Sequence, residues 1–195
     1  GYVPFCSFNN PAKLSPGPVA AWCRILERLP DSRLLLKHRA LGDADVAARF
    51  VSGFTGAGID EERIILEGFT LDGAAYLDTY NRVDMALDPF PFGGGTTSYE
   101  ALWMGVPVLT LEGTTFMGRL TAALMGRLGL GHWAAADVGT YIESAARLAS
   151  DLDALADLRA GLRERARASI FDAAAFTQSL EAACQDVWRR LAEHR

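Results

Sequence analysis

The stretch Asp84-Met-Ala-Leu-Asp-Pro-Phe-Pro-Phe-Gly-Gly-Gly-Thr-Thr-Ser-Tyr-Glu100 decides how this chain is read. Five residues of strand character, Asp84–Asp88, run into two prolines that cannot continue a ladder. Three glycines and three hydroxyls then lead into residues with helical spacing. A helix starting at Thr96 or Thr97 ends at Gly105, a residue without Cβ that suits the left-handed end of a helix, and Pro107 opens the next strand. Strand, glycine turn and helix start together make a place for an anion. Gly93, Gly94 and Gly95 let backbone N–H groups come close, and the positive end of the helix dipole favours negative charge, phosphate above all. A capped helix behind a flexible glycine turn would leave the same pattern.

Outward from that stretch, short apolar runs alternate with longer segments of helical period, the pattern of parallel strands joined by crossover helices. Strands are expected at Val3–Phe8, Arg33–Lys37, Arg63–Leu66, Asp84–Asp88 and Val106–Thr110. The class is α/β, with one Rossmann-like, doubly wound parallel sheet. Val19, Trp22, Cys23, Leu26 and Leu29 share one helical face and read as core. After Thr110 the chain turns mostly helical, and Asp172 is placed to cap a last helix carrying Phe176, Leu180, Cys184, Val187, Trp188 and Leu191. No repeat, low-complexity tract or linker divides the sequence, so residues 1–195 are expected to form a single domain. The first methionine is Met85 and the opening residues read as a buried strand, so an excerpt of a longer protein is expected.

In open parallel sheets ligands lie at the carboxyl ends of the strands. A second loop belongs there, Phe8-Asn-Asn-Pro-Ala-Lys-Leu-Ser-Pro16, which presents Asn9, Asn10 and Lys13 before a helix. Lys13 can neutralise a phosphate or steady a leaving group whose negative charge grows in the transition state. It can equally be a solvated surface lysine. Glu100, four residues after Thr96 and three after Thr97, suits a ribose diol or the second half of a capping box with Thr97, and spacing does not separate the two.

Composition narrows the partners. Of 195 residues 50% are hydrophobic and 22% charged, and 19 Lys+Arg against 24 Asp+Glu leave a net charge of −5. That balance supports a packed core, lacks the basic footprint of a nucleic-acid binder, and offers no run near the roughly 18 apolar residues a membrane span needs. Neither nucleic acid nor membrane is expected as a partner. Cys6, Cys23 and Cys184 are far apart and form no CxxC, so a reducing, cytoplasmic location is the simplest expectation. His38, His132 and His194 are isolated, no P-loop or G-x-S-x-G occurs, and Gly56-Ala-Gly58 lacks the strand and third glycine of a dinucleotide site. Gly113-Thr-Thr115 repeats the glycine and hydroxyl theme, which ordinary helix capping explains.

Three segments together, Phe8-Asn-Asn-Pro-Ala-Lys13, Asn81-Arg-Val-Asp-Met-Ala-Leu-Asp-Pro-Phe-Pro and Gly93-Gly-Gly-Thr-Thr-Ser-Tyr-Glu-Ala-Leu-Trp-Met-Gly-Val-Pro-Val-Leu-Thr110, resemble the SPINDLY / O-linked N-acetylglucosamine transferase family. The resemblance runs along nearly the whole chain. It implies the C-terminal half of that family's catalytic region, a GT-B donor domain with C-terminal helices. It also implies a UDP-sugar donor substrate, transfer with inversion to a protein Ser/Thr hydroxyl, and no metal or further cofactor. The implied partners are the protein acceptor and, within the same protein, an N-terminal catalytic domain and TPR repeats.

Residue by residue, the resemblance puts Lys13 at the lysine that stabilises the diphosphate and Asn10 at a Gln near it. Thr96 and Thr97, with Gly94 and Gly95 beside them, stand at the diphosphate pair, and Glu100 stands where an Asp often holds ribose. Leu71 and Tyr76 fall in the Phe69–Tyr80 stretch that supplies base contacts in animal members, with Tyr76 at a stacking His and Thr79 at an Arg; Gly95 replaces a His. Competing readings are another GT-B enzyme, with a different sugar or an epimerase reaction, and a non-catalytic nucleotide- or partner-binding module.

Overall fold

The computed structural model describes residues 3–193. Six parallel strands form one sheet: β1 (Pro4–Ser7), β2 (Arg33–Lys37), β3 (Ile64–Glu67), β4 (Met85–Leu87), β5 (Val108–Leu111) and β6 (Ala134–Ala135). Their order is β3-β2-β1-β4-β5-β6. Register is set at the centre by Phe5, which pairs with Leu34 on one side and Met85 on the other. All three are completely buried, as strands covered on both faces must be. The strand order reverses between β1 and β4, the switch point at which open parallel sheets take ligands in a crevice at the carboxyl ends of the strands.

Among the described residues there are eight α-helices, of which the first five join successive strands and the last three follow β6: α1 (Pro16–Arg28), α2 (Ala44–Thr55), α3 (Gly73–Asp78), α4 (Thr96–Trp103), α5 (Phe116–Arg127), α6 (Val138–Ala149), α7 (Leu152–Arg167) and α8 (Ala173–Glu193). Right-handed crossovers, the rule for parallel units, send α1 and α2 to one face of such a sheet and α4 to the other. α6 packs against α1 and α7 against α4, so the chain's end returns to both layers. The expected α1 stripe is core: Trp22, Cys23 and Leu26 are buried, with Val19 and Leu29 packed at its edge. Trp22 Nε1 donates to Tyr141 Oη at 3.1 Å, and that hydroxyl donates to the carbonyl of Asp88 at 3.2 Å. The far end of β4 is thereby tied to two helices.

Three expectations change. A sixth strand, β6, is present that the sequence does not reveal, because its two residues, paired with Thr110 and Leu111, are too few to leave a periodic signal. The remaining strands shift by one or two residues at their ends, except β2, which matches Arg33–Lys37. The apolar positions of α8 look like core by period, and Asp172 does cap that helix by accepting from Ala175 N at 2.9 Å, yet no residue of α8 is buried. Phe176, Leu180, Val187, Trp188 and Leu191 all face solvent. Gly105 closes α4 with φ of 74°, a conformation that explains its place in the sequence.

Candidate functional site

The two loops at the switch point meet. After β1 the chain passes through buried Asn9 to exposed Asn10, whose Oδ1 accepts from Ala12 N at 3.0 Å and caps the short turn Pro11–Lys13. That turn aims Lys13 across the crevice. Its Nζ donates to the carbonyl of Gly93, eighty residues away in sequence, at 2.9 Å, and to Asn9 Oδ1 at 3.5 Å. The ammonium also lies 4.6 Å from the centre of the Phe92 ring. Burial lowers the Lys13 pKa and the nearby Asp88 charge opposes that shift. Lys13 is half-buried and fixed, not a free surface lysine.

On the other side of the crevice α4 begins at Thr96. The N–H groups of Thr96 and Thr97 open the helix and have no carbonyl of their own helix to bond, which leaves them as anion donors. Thr97 Oγ1 donates to Asn9 Oδ1 at 3.1 Å, so one asparagine oxygen gathers both Lys13 and Thr97. Thr96 is exposed at the rim. The third hydroxyl of the run, Ser98, is buried and lies 3.1 Å from Thr121 Oγ1.

The glycines act differently from the sequence expectation. The N–H of Gly94 does not face an outside anion: it donates to Asp88 Oδ1 at 2.6 Å. Asp88 is 1% exposed, and its Oδ2 accepts from Thr110 Oγ1 at 2.9 Å. Gly95 has open space around it, so it does not need to be glycine for lack of room.

Glu100 faces the crevice one turn into α4, where Oε2 accepts from Tyr76 Oη at 2.9 Å. This settles the spacing ambiguity against a capping box. The N-cap position is Gly95, Thr97 bonds Asn9, and Glu100 bonds Tyr76. Burial raises the pKa of Glu100, while the tyrosine hydroxyl lowers it. Tyr76 packs beside Phe8 and edge-on to Tyr80, with ring centres 6.0 and 6.3 Å away. Tyr80 Oη in turn donates to the carbonyl of Thr97 at 3.3 Å. Leu71 is not brought into this cluster: it is 89% exposed and outside the packed core. Thr79 is buried and turns its hydroxyl back to the carbonyl of Ala75 at 3.3 Å.

Lys13, Thr97 and Glu100 are thus assembled on one crevice with Thr96 at its edge, and Asn9 and Asp88 join them. The sequence presents Asn9 as a loop residue with no distinct role and gives no role to Asp88. The available signal for Asp88 was a carboxylate at the last residue of a buried strand, where a charge needs a reason. Among the described residues no three His, Cys, Asp or Glu side chains cluster, and no helix is long and apolar enough to cross a membrane.

The profile described as glycosyl transferase family 41 matches residues 2–180. The chain belongs to glycosyl transferase family 41. Within the family it is 38% identical over 191 residues to the probable UDP-N-acetylglucosamine–peptide N-acetylglucosaminyltransferase SPINDLY of Petunia hybrida, covering 97% of this chain and 20% of that protein. It is 27% identical over 190 residues to the UDP-N-acetylglucosamine–peptide N-acetylglucosaminyltransferase of Caenorhabditis elegans, covering 96% of this chain and 16% of that protein. The chain therefore spans about a fifth or less of these curated relatives. Among solved structures, a mutant of the Thermobaculum terrenum O-GlcNAc transferase superposes with a TM-score of 0.91 at 39% identity, over 97% of this chain and 36% of that one. Anabaena Alr3699/HepE, solved with UDP and glucose, shares the fold at a TM-score of 0.64 and 16% identity, over 95% and 48% of the two chains. The family 41 chain thus has the architecture of a GT-B C-terminal domain.

Proposed function

We propose that this chain is the donor-binding domain of a glycosyltransferase that moves a sugar, N-acetylglucosamine in the first instance, from a UDP-sugar to Ser/Thr hydroxyls of proteins. The observation that carries this reading is the convergence, at the switch point of the sheet, of the Lys13 ammonium with the opening of α4 at Thr96 and Thr97. A diphosphate bridging them would meet a positive charge on one side and helix-start N–H groups and hydroxyls on the other. Glu100, held by Tyr76, would take the ribose hydroxyls, and exposed Asn10 would stand beside the diphosphate.

In the reaction the bond between the anomeric carbon and the UDP oxygen breaks as the acceptor oxygen attacks from the opposite face, inverting the centre. The electron pair of the broken bond stays on UDP, where Lys13 stabilises the growing charge. The acceptor proton leaves to a group outside this chain, on the N-terminal catalytic half of a longer protein that would also carry TPR repeats. We assign no metal or other cofactor to the reaction. The SPINDLY and C. elegans relatives, described as UDP-N-acetylglucosamine–peptide N-acetylglucosaminyltransferases, support this donor and a peptide acceptor. Three free thiols, with Cys184 exposed, fit the reducing cytoplasm. The test is release of UDP from UDP-N-acetylglucosamine by the longer protein with a Ser/Thr peptide present. Peptide-dependent release supports the reading, and nucleotide binding without any transfer would make the domain a binding module.

A further inference from the structure

Beneath the crevice lies a carboxylate that the proposed chemistry does not use. Asp88 directly follows β4, its backbone N–H still donating to the carbonyl of Leu109 at 2.9 Å, and its side chain turns up under the glycine turn. One oxygen takes the Gly94 N–H and the other the Thr110 hydroxyl. The turn rests directly on these oxygens. A Cβ on Gly93 would sit 2.8 Å from Oδ2, and one on Gly94 would sit 2.7 Å from Oδ1 and nearer still, 2.1 Å, to Ser98 Oγ, closer than such contacts permit. The need for glycine at these two positions thus comes at least in part from the carboxylate below.

The same turn carries two parts of the candidate site. Its Gly93 carbonyl is the closest acceptor of the Lys13 ammonium, and Gly95 leads straight into the first residue of α4. We propose that Asp88 is a positioning residue, whose carboxylate clamps the glycine turn from below and so fixes both Lys13 and the helix start that face the donor diphosphate. The role in binding rests on the donor-domain reading above; the clamp itself does not. Burial pushes the Asp88 carboxyl up to about 6, against hydrogen bonds from Thr121, Thr110 and Gly94 and the charge of Lys13. Lys13 is the charged group coupled to it, while Tyr141 approaches its main-chain carbonyl as a neutral hydroxyl. At pH 8 the clamp is a full carboxylate, and its short bond to Gly94 is of the charge-assisted kind.

The experiment compares wild type, Asp88→Ala and Asp88→Asn at pH 8 by calorimetric titration with UDP and with uridine, alongside the amide proton resonance of Gly94. In Asp88→Ala the Gly94 resonance moves upfield, UDP affinity falls about tenfold or more, and uridine affinity stays within about twofold. Asp88→Asn, whose amide oxygen still accepts from Gly94, keeps UDP affinity within about threefold of wild type. If Asp88→Ala does not fold, Thr110→Val serves, since it removes the hydroxyl that holds the other carboxylate oxygen, and the same selective loss of UDP is expected in smaller measure. UDP affinity unchanged in a folded Asp88→Ala, or lost equally in Asp88→Asn, overturns the positioning role. A Gly94 resonance indifferent to Asp88→Ala overturns the clamp whatever the titrations show. Wild type that binds neither UDP nor uridine, with the Gly94 shift as expected, instead overturns the donor reading and the diphosphate role with it, and leaves the clamp standing.

Discussion

Lys13→Ala separates catalysis from binding in the complete enzyme. The ammonium is held by the Gly93 carbonyl at 2.9 Å and Asn9 at 3.5 Å, so it is already aimed before any donor arrives. A unit negative charge about 4 Å from it, at an effective dielectric constant of about 20, interacts by about 4 kcal/mol. Part of that is present with bound donor, because the diphosphate is charged from the start. The remainder appears only as the glycosidic bond breaks. Removing a preorganised oxyanion partner lowers kcat by about 10²–10³, and we expect that loss for Lys13→Ala with KM rising by less than about tenfold. Lys13→Arg should not restore it, because a planar fork cannot reproduce the point charge between two fixed oxygens. Burial lowers the Lys13 pKa, so activity should fail on the alkaline side at a lower pH than an ordinary lysine would give. The assay is UDP release against donor concentration, from pH 6 to pH 10 on the order of one-unit steps, with folding checked by circular dichroism. Unchanged kcat with a raised KM would refute the catalytic role and leave Lys13 as a binding residue.

Tyr76→Phe removes the hydroxyl that orients Glu100, so UDP and uridine, which share the ribose, should lose affinity alike by roughly fivefold, read by titration of both. A loss confined to UDP would contradict the ribose assignment. Asp88→Asn should change the pH dependence of stability: the folded pKa of about 6 lies above the ordinary aspartate value, so the wild-type chain loses stability as pH rises from about 4 to 6 and then levels off. The variant lacks that loss, so relative to wild type it gains up to about 3 kcal/mol between pH 4 and pH 8 in denaturant melts, and equal differences at both pH values would show that Asp88 does not titrate as described. The 195-residue chain alone should release no UDP from a UDP-sugar, since reacting groups must be held within about 3–3.5 Å and the acceptor side is proposed to lie outside it; turnover by this chain that Lys13→Ala abolishes would contradict that placement.

What the sequence discloses and what it hides follow from how local each feature is. Strands β1 to β5 are visible because apolar runs and turn residues are properties of neighbouring positions. The helix start at Thr96 and the stop at Gly105 are equally local. The bond from Lys13 to Gly93 is not: it joins loops eighty residues apart, and only the switch between β1 and β4 brings them together. The same holds for Glu100, whose spacing to Thr97 fits a capping box until Tyr76 and Asn9 take the two side chains. Gly94 misleads for a related reason. A glycine whose N–H faces phosphate and one whose N–H faces a buried Asp88 leave the same letter in the sequence, and only the third dimension tells them apart.

The most direct test of the central claim, that the turn before α4 and the Lys13 loop hold a nucleotide diphosphate, is the difference between UDP and uridine binding to this chain and to its Thr96→Ala, Thr97→Ala double variant. The account predicts that wild type binds UDP more tightly than uridine and that most of this difference disappears in the folded variant, while uridine binding stays nearly the same. Equal losses for both ligands, or a preference for UDP that survives the double substitution, would contradict it.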